Sequence, residues 1–264
     1  MLAADLRLAI DPDAFAAAAG LEGELDPWQR EVLDAAEGKQ LLNCSRQAGK
    51  STVAALLACR EAVFAADSLI LCVSPSLRQS GELFRRVLAF YHGLEGLPSR
   101  PGVKAESALR LELMNNSRVI SLPGSERTTR GYSRAGLIIV DEAARVDAEL
   151  ITSLAPMQAV ARGRRRFIAM STPAGRLGWF YERWQAAAAD RTWRRVEVPA
   201  AACPRIGAEF LAEQERELGP LLFRQEFGCE FADSAETLFA TALVERAFDG
   251  TIRPLFGGVG RAAA

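Results

Sequence analysis

Apolar residues fall in short runs along this chain, and the runs alternate with longer segments in which apolar positions recur every three or four residues. Leu41-Leu42-Asn43-Cys44 predicts a short buried strand, Lys50 to about Ala65 a helix, Leu69–Val73 a second strand stopped by Pro75, and Leu77–Phe90 a second helix. Residues 93–103 carry three glycines and two prolines and read as loop. Apolar and polar residues alternate in Leu109–Leu113 and in Val119–Leu122, on either side of Asn115-Asn116-Ser117, which predicts a β-hairpin. After a polar loop over Gly124–Arg134, Leu137–Val140 and Phe167–Met170 are continuous apolar runs, the pattern of strands buried on both faces. Helix Leu177–Ala189, strand Trp193–Val198 and helix Ala208–Leu218 follow. Ahead of the first strand, Asp26-Pro27 has the cap chemistry of a helix start, for a helix from Trp28 to Ala36 closed by Gly38.

Strands that alternate with helices predict an α/β fold with a mostly parallel central sheet flanked by helices on both faces. The expected organisation is a helical arm over residues 1–25, one large domain over 26–240, and a Gly- and Ala-rich tail or linker start over 241–264. A chain of 264 residues buries a full core without disulfides or metals.

Charge narrows little. There are 32 basic and 33 acidic residues, so any nucleic-acid contact has to come from a local patch. The five cysteines include no C-x-x-C pair and His92 is the only histidine, which argues against a Cys/His zinc site and for reduced thiols. Charged residues interrupt the apolar positions near the N-terminus, and no apolar stretch is long enough for a signal sequence or a membrane span.

The candidate chemistry sits where strands end. Ser45-Arg46-Gln47-Ala48-Gly49-Lys50-Ser51-Thr52 joins a predicted strand to a predicted helix, the context in which backbone N–H groups at a helix N-terminus hold phosphates. Gly49 permits close backbone approach, Lys50 brings a point charge to the phosphates, and the Ser51 hydroxyl can ligate Mg²⁺. Cys44 stands where the usual pattern has its first glycine. Asp141 and Glu142 close the apolar run Leu137–Val140, at the strand end that faces the ligand crevice in an open α/β sheet. Asp141 is placed to hold Mg²⁺ and Glu142 to polarise an attacking water as general base. Met170-Ser171-Thr172-Pro173 puts small hydroxyls after another apolar strand. In Pro27-Trp28-Gln29, the glutamine amide offers a donor and an acceptor to adenine. These residues predict a P-loop nucleoside triphosphatase of the additional-strand, catalytic-glutamate type, with ATP and Mg²⁺ as substrate and cofactor.

The order of these motifs, joined by Arg130-Gly131-Tyr132-Ser133, Ser171-Thr172-Pro173-Ala174-Gly175, Gly178-Trp179-Phe180-Tyr181 and Phe223-Arg224-Gln225-Glu226-Phe227, resembles the ATPase domain of the tailed-phage terminase large subunit over most of residues 26–240. The Ser-Arg-Gln-x-Gly-Lys-Ser form of the phosphate loop matches that family, which commonly lacks the first glycine. The resemblance implies an ATP-hydrolysing motor that moves double-stranded DNA, without sequence preference, into a procapsid. It implies a portal and a small terminase subunit as partners, a homo-oligomeric ring when assembled with a monomer as the isolated form, no membrane, and the cytoplasm of the infected or prophage-carrying host. It places Gln29 at adenine, Ser45–Ser51 on phosphates, Asp141 and Glu142 at Mg²⁺ and water, and Ser171, Thr172 and Pro173 in coupling. Arg130 is the best match for an arginine acting in trans on a neighbour's ATP, with Arg127 and Arg134 as competitors. Arg46 is a further candidate for contacting phosphate or a coupling partner.

Whole members of that family continue into a nuclease with a metal-binding acidic cluster, whereas no acidic residue follows Asp249 here, so no nuclease activity is expected of this chain. Basic residues cluster at Arg162–Arg166 and at Arg191, Arg194 and Arg195, as a solvated face or as a patch for DNA or a neighbouring subunit. A helicase-type translocase and a nucleotide-binding prophage remnant without turnover are the alternative functions.

Overall fold

A computed structural model describes residues 3–35, 37–124, 131–161, 163–190 and 192–232. Arg127, Arg130, Arg162, Arg191 and the expected tail over 241–264 lie outside the described residues.

Eight strands form one sheet: β1 (Gly38–Cys44), β2 (Leu69–Ser74), β3 (Val103–Ser107), β4 (Arg110–Leu113), β5 (Arg118–Pro123), β6 (Ala135–Asp141), β7 (Arg166–Ser171) and β8 (Trp193–Val198), in the spatial order β3-β4-β5-β2-β6-β7-β1-β8. All pairs from β5 to β8 are parallel, and β3-β4-β5 is an antiparallel meander at one edge. Two α-helices carry the chain from strand to strand on one face, α4 (Lys50–Phe64) and α5 (Leu77–Gly93), and two more lie on the other, α6 (Ala148–Leu154) and α7 (Gly178–Ala186). The remaining helices are α1 (Ala3–Ile10), α2 (Pro12–Ala18), α3 (Pro27–Asp34) and α8 (Ala208–Glu226).

The continuous apolar runs have a direct consequence. In β6, Leu137 and Ile139 join one buried cluster with α4 and α5, while Ile138 and Val140 join the other with α6 and α7. Leu42 and Leu41 divide in the same way, as do Ile168 and Phe167. A strand covered on both faces has no polar face, so period-two alternation disappears from its sequence.

The segment expected as an arm is part of the first cluster. Phe15 is fully buried, edge-on to Phe64 at 6.0 Å between ring centroids, and the Arg60 guanidinium donates to the carbonyls of Ala9 (2.7 Å) and Leu33 (3.2 Å). Other boundaries move by a few residues. α3 ends at Asp34, Gly38 opens β1 with φ 105°, and α7 ends at Ala186. α8 is broken at Gly219 (φ 73°, ψ 164°), just before Pro220, whose ring forbids an unbroken helix. The exposed edge strand β3 and the seven-residue α6 are additions to the elements expected from sequence.

Candidate active site

β1 leads into the turn Ser45–Gly49, and α4 begins at Lys50. Gln47 (φ 60°) and Gly49 (φ 95°) take left-handed backbone. Such residues in a turn aim successive N–H groups into one concavity, the geometry of an anion cradle. At Gly49 steric space makes the same demand as φ, because a Cβ there would lie 2.7 Å from Gln29 Nε2. Cys44, in place of the usual first glycine, is fully buried at the end of β1, and burial pushes its thiol far up from its ordinary range. It behaves as a small apolar core residue.

Lys50 is buried and its ammonium curls back over the turn. Nζ donates to the carbonyls of Ser45 (3.1 Å) and Cys44 (3.5 Å) and lies 3.8 Å from Glu142 Oε1. Ser51 Oγ donates to Asp141 Oδ2 at 3.2 Å, so the first turn of α4 and the end of β6 meet. Thr52 Oγ1 accepts from Arg86 Nη1 at 3.1 Å.

Asp141 is buried, and its carboxyl is pushed up to about 6, first by loss of solvation and then by the neighbouring charge of Glu142, while Lys50 and Ser51 act in the opposite sense. A carboxylate so short of counter-charge suits a cation held between it and Ser51. Glu142 adopts φ 51°, ψ 45°, a sharp left-handed turn off the strand. Its Oε2 accepts from Arg145 Nη1 (2.9 Å), Ser171 Oγ (3.3 Å) and Thr172 Oγ1 (3.5 Å). Arg145 Nη1 also donates to Thr172 Oγ1 at 3.0 Å. Pro173 is buried directly after them. Ser171 reaches this site because β7 lies between β1 and β6.

Two expected ligands are engaged elsewhere. Gln29 is buried, and its Oε1 accepts from the Asp26 N–H (2.8 Å), capping its own helix. Its Nε2 has no partner and lies against Gly49, so the acceptor half of the amide is committed and only the donor is open. Arg46 Nε donates to Glu226 Oε2 (2.6 Å), and its backbone N–H to the Glu226 carbonyl (2.8 Å), tying the turn Ser45–Gly49 to the end of α8. The other oxygen of Glu226 lies 3.9 Å from Arg145 Nη2.

A cavity of about 630 Å³ opens here, lined by Arg46, Gln47, Gly49, Lys50, Ser51, Thr52 and Glu142 together with Arg86, Arg205, Ile206, Gly207 and Phe210. Arg205 Nη2 is fixed by Asp26 Oδ2 (2.7 Å) and the Ala48 carbonyl (3.0 Å). Sequence reasoning names none of Arg86, Arg145, Arg205, Phe210 and Glu226 individually. Arg145 had a signal, as an i+3 partner of Glu142, and Glu226 lies in a motif used for the resemblance. Arg205 and Phe210 had none. The basic cluster resolves differently: Arg166 is buried and donates to the Val32 carbonyl (2.6 Å), Arg194 pairs with Glu31, and Arg195 lies over the Trp184 ring.

A family model described as terminase large subunit, T4-like-virus type, N-terminal, matches residues 41–246. The fold is similar to the large terminase ATPase domain of Thermus phage P74-26, with a TM-score of 0.70 and 21% identity, covering 83% of this chain and 98% of that one. It is similar to the large terminase of bacteriophage HK97 (TM-score 0.69, 19% identity, 87% of this chain and 55% of that one). The large terminase of a thermophilic bacteriophage, in complex with ADP, gives a TM-score of 0.57 at 12% identity over 88% of this chain and 54% of that one. At such identities the likeness speaks for the fold.

Proposed function

The chain belongs to the terminase large subunit family, over the N-terminal part of its T4-like-virus type, and from that premise we propose that it hydrolyses ATP to drive double-stranded DNA into a phage procapsid. One observation carries the reading. Lys50, Ser51, Asp141, Glu142, Ser171 and Thr172, drawn from the ends of the adjacent strands β6 and β7 and from the helix after β1, converge within hydrogen-bonding or ion-pairing reach of one another.

The backbone N–H groups from Gln47 to Gly49 bind the phosphates, those of Ser45 and Arg46 being taken by the Val198 and Glu226 carbonyls, and Lys50 leaves the Ser45 carbonyl to take up their charge. Ser51 and Asp141 hold Mg²⁺, which when bound offsets charge on the β- and γ-phosphates. Glu142 accepts a proton from the attacking water as the water oxygen bonds the γ-phosphorus and the bond from that phosphorus to the β–γ bridging oxygen breaks, with ADP leaving. Ser171 and Thr172 hold the same carboxylate oxygen that Arg145 holds, so any shift of β7 relative to β6 is felt by the base. This is a direct route for coupling hydrolysis to movement, with Pro173 stiffening the exit from β7. Arg130 completes a neighbour's site in trans, in a ring that works with the portal and the small terminase subunit in the host cytoplasm. DNA is gripped through its phosphates, without sequence preference. Among the described residues no group of three or more His, Cys, Asp or Glu is arranged to hold a metal. No helix among the described residues is long and apolar enough to cross a membrane.

The test is phosphate release by the purified chain with Mg-ATP, with and without double-stranded DNA. Turnover above that of a Lys50→Ala chain is expected, and its absence in every condition, portal and DNA included, sinks the reading. Strand separation of a DNA duplex would favour the helicase-type alternative, which the family match does not.

A further inference from the structure

We infer that Phe210 is the platform on which the purine base of the bound nucleotide stacks, held beside the phosphate loop by Arg205. The inference rests on the nucleotide-binding reading above and names a part of the site that the motifs do not supply.

The cavity at the phosphate loop is within the ordinary size range of small-molecule sites. Its lining is polar or charged except for Gly49, Gly207, Ile206 and Phe210. If the loop and Lys50 take the phosphates, the base needs an apolar surface in the same cavity, and only Ile206 and Phe210 offer apolar side chains. Ile206 is partly buried and packs against the core cluster. Phe210 is 42% exposed, the one exposed phenylalanine or tryptophan among the described residues, and its ring lies 6.0 Å from that of Phe227 in a T-shaped pair. Its ring is therefore braced against Phe227 while much of its surface stays open, as a stacking platform requires.

The segment is also tethered to the loop. Arg205 bonds both Asp26 and the Ala48 carbonyl, which fixes the start of α8 next to the residue that precedes Gly49. Gln29 is a weaker candidate for the base. It does not line the cavity, and its acceptor oxygen caps its own helix. A stacking platform reads the π-face and not the hydrogen-bonding edge, so it serves adenine and guanine alike.

The experiment measures equilibrium binding of Mg-ATP, Mg-GTP and inorganic triphosphate to the full chain, to Phe210→Ala and to Phe210→Trp, with urea unfolding of each. Because Phe210 is substantially exposed, both variants are expected to fold. Phe210→Ala should weaken ATP and GTP by the same factor, roughly 5- to 100-fold, while triphosphate binding stays within about twofold; Phe210→Trp should restore both nucleotides. Unchanged nucleotide affinity in Phe210→Ala overturns the platform. So does loss of triphosphate along with nucleotide, which would make Phe210 a support of the loop. A wild-type chain that binds neither ATP nor triphosphate instead defeats the nucleotide reading itself.

Discussion

Replacing Glu142 with glutamine removes the proposed base and little else. The carboxylate oxygen that accepts from Arg145 at 2.9 Å, and from Ser171 and Thr172, has an amide oxygen as its isostere, and the new NH₂ takes the place of the oxygen 3.8 Å from Lys50 Nζ. The lost ion pair joins side chains 37% and 23% exposed, so solvent screening keeps its value below about 1 kcal/mol. The lost proton acceptor should cost roughly 10²–10⁴ in turnover, or about 3–5 kcal/mol of barrier at 1.36 kcal/mol per tenfold. Binding should hold or tighten, because the Lys50 ammonium 3.8 Å away loses a competing anion and is freer to meet phosphate. Phosphate release at saturating Mg-ATP measures the rate, ATP titration the affinity, and urea unfolding the fold. A variant that binds ATP, unfolds at the wild-type midpoint and turns over within tenfold of wild type would place the base elsewhere. A variant destabilised by several kcal/mol would make the carboxylate structural.

Lys50→Ala should abolish hydrolysis and weaken Mg-ATP binding while leaving the unfolding free energy from urea titration within about 1–2 kcal/mol of wild type, since its bonds are to two turn carbonyls and a longer contact to Glu142; normal turnover would show the loop to be misassigned. Gly49→Ala should be worse for the fold than an ordinary helix-start substitution, because left-handed backbone costs about 1–2 kcal/mol in an L-residue and the new Cβ meets Gln29 Nε2; a chain with wild-type stability and affinity would refute the packing argument. Arg130→Ala should be nearly inactive alone and regain activity when mixed with Glu142→Gln, with phosphate release per chain rising with protein concentration for wild type; mutants that co-assemble yet restore nothing would remove the trans role.

Much of this protein is written locally. Four apolar residues ending in Asp141-Glu142 specify a doubly covered strand with its acids at the tip, because burial on both faces allows no polar position before the end. Gly49-Lys50-Ser51 specifies the loop, because few other residues combine left-handed backbone, a mobile ammonium and a small hydroxyl. Pro220 marks where α8 breaks. Edge strand β3 is hard to read because all five of its residues are exposed and no apolar alternation announces it.

What only the tertiary structure decides is which strand ends become neighbours and which side chains arrive from far away. Nothing local to β7 states that it pairs between β1 and β6, yet that position brings Ser171 and Thr172 to Glu142. Arg205 reaches Ala48 and Glu226 reaches Arg46 across more than 150 residues of chain, by contacts that leave no periodicity in either segment. The same holds for competition between partners. Gln29 has the chemistry to read adenine, but a nearby backbone N–H takes its oxygen; Arg166 has the charge to bind DNA, but its guanidinium is buried against the Val32 carbonyl. A residue's type fixes which bonds it can make. Which of them it makes depends on the groups that folding brings within about 3 Å, where hydrogen bonds form, and those groups come mostly from distant parts of the chain.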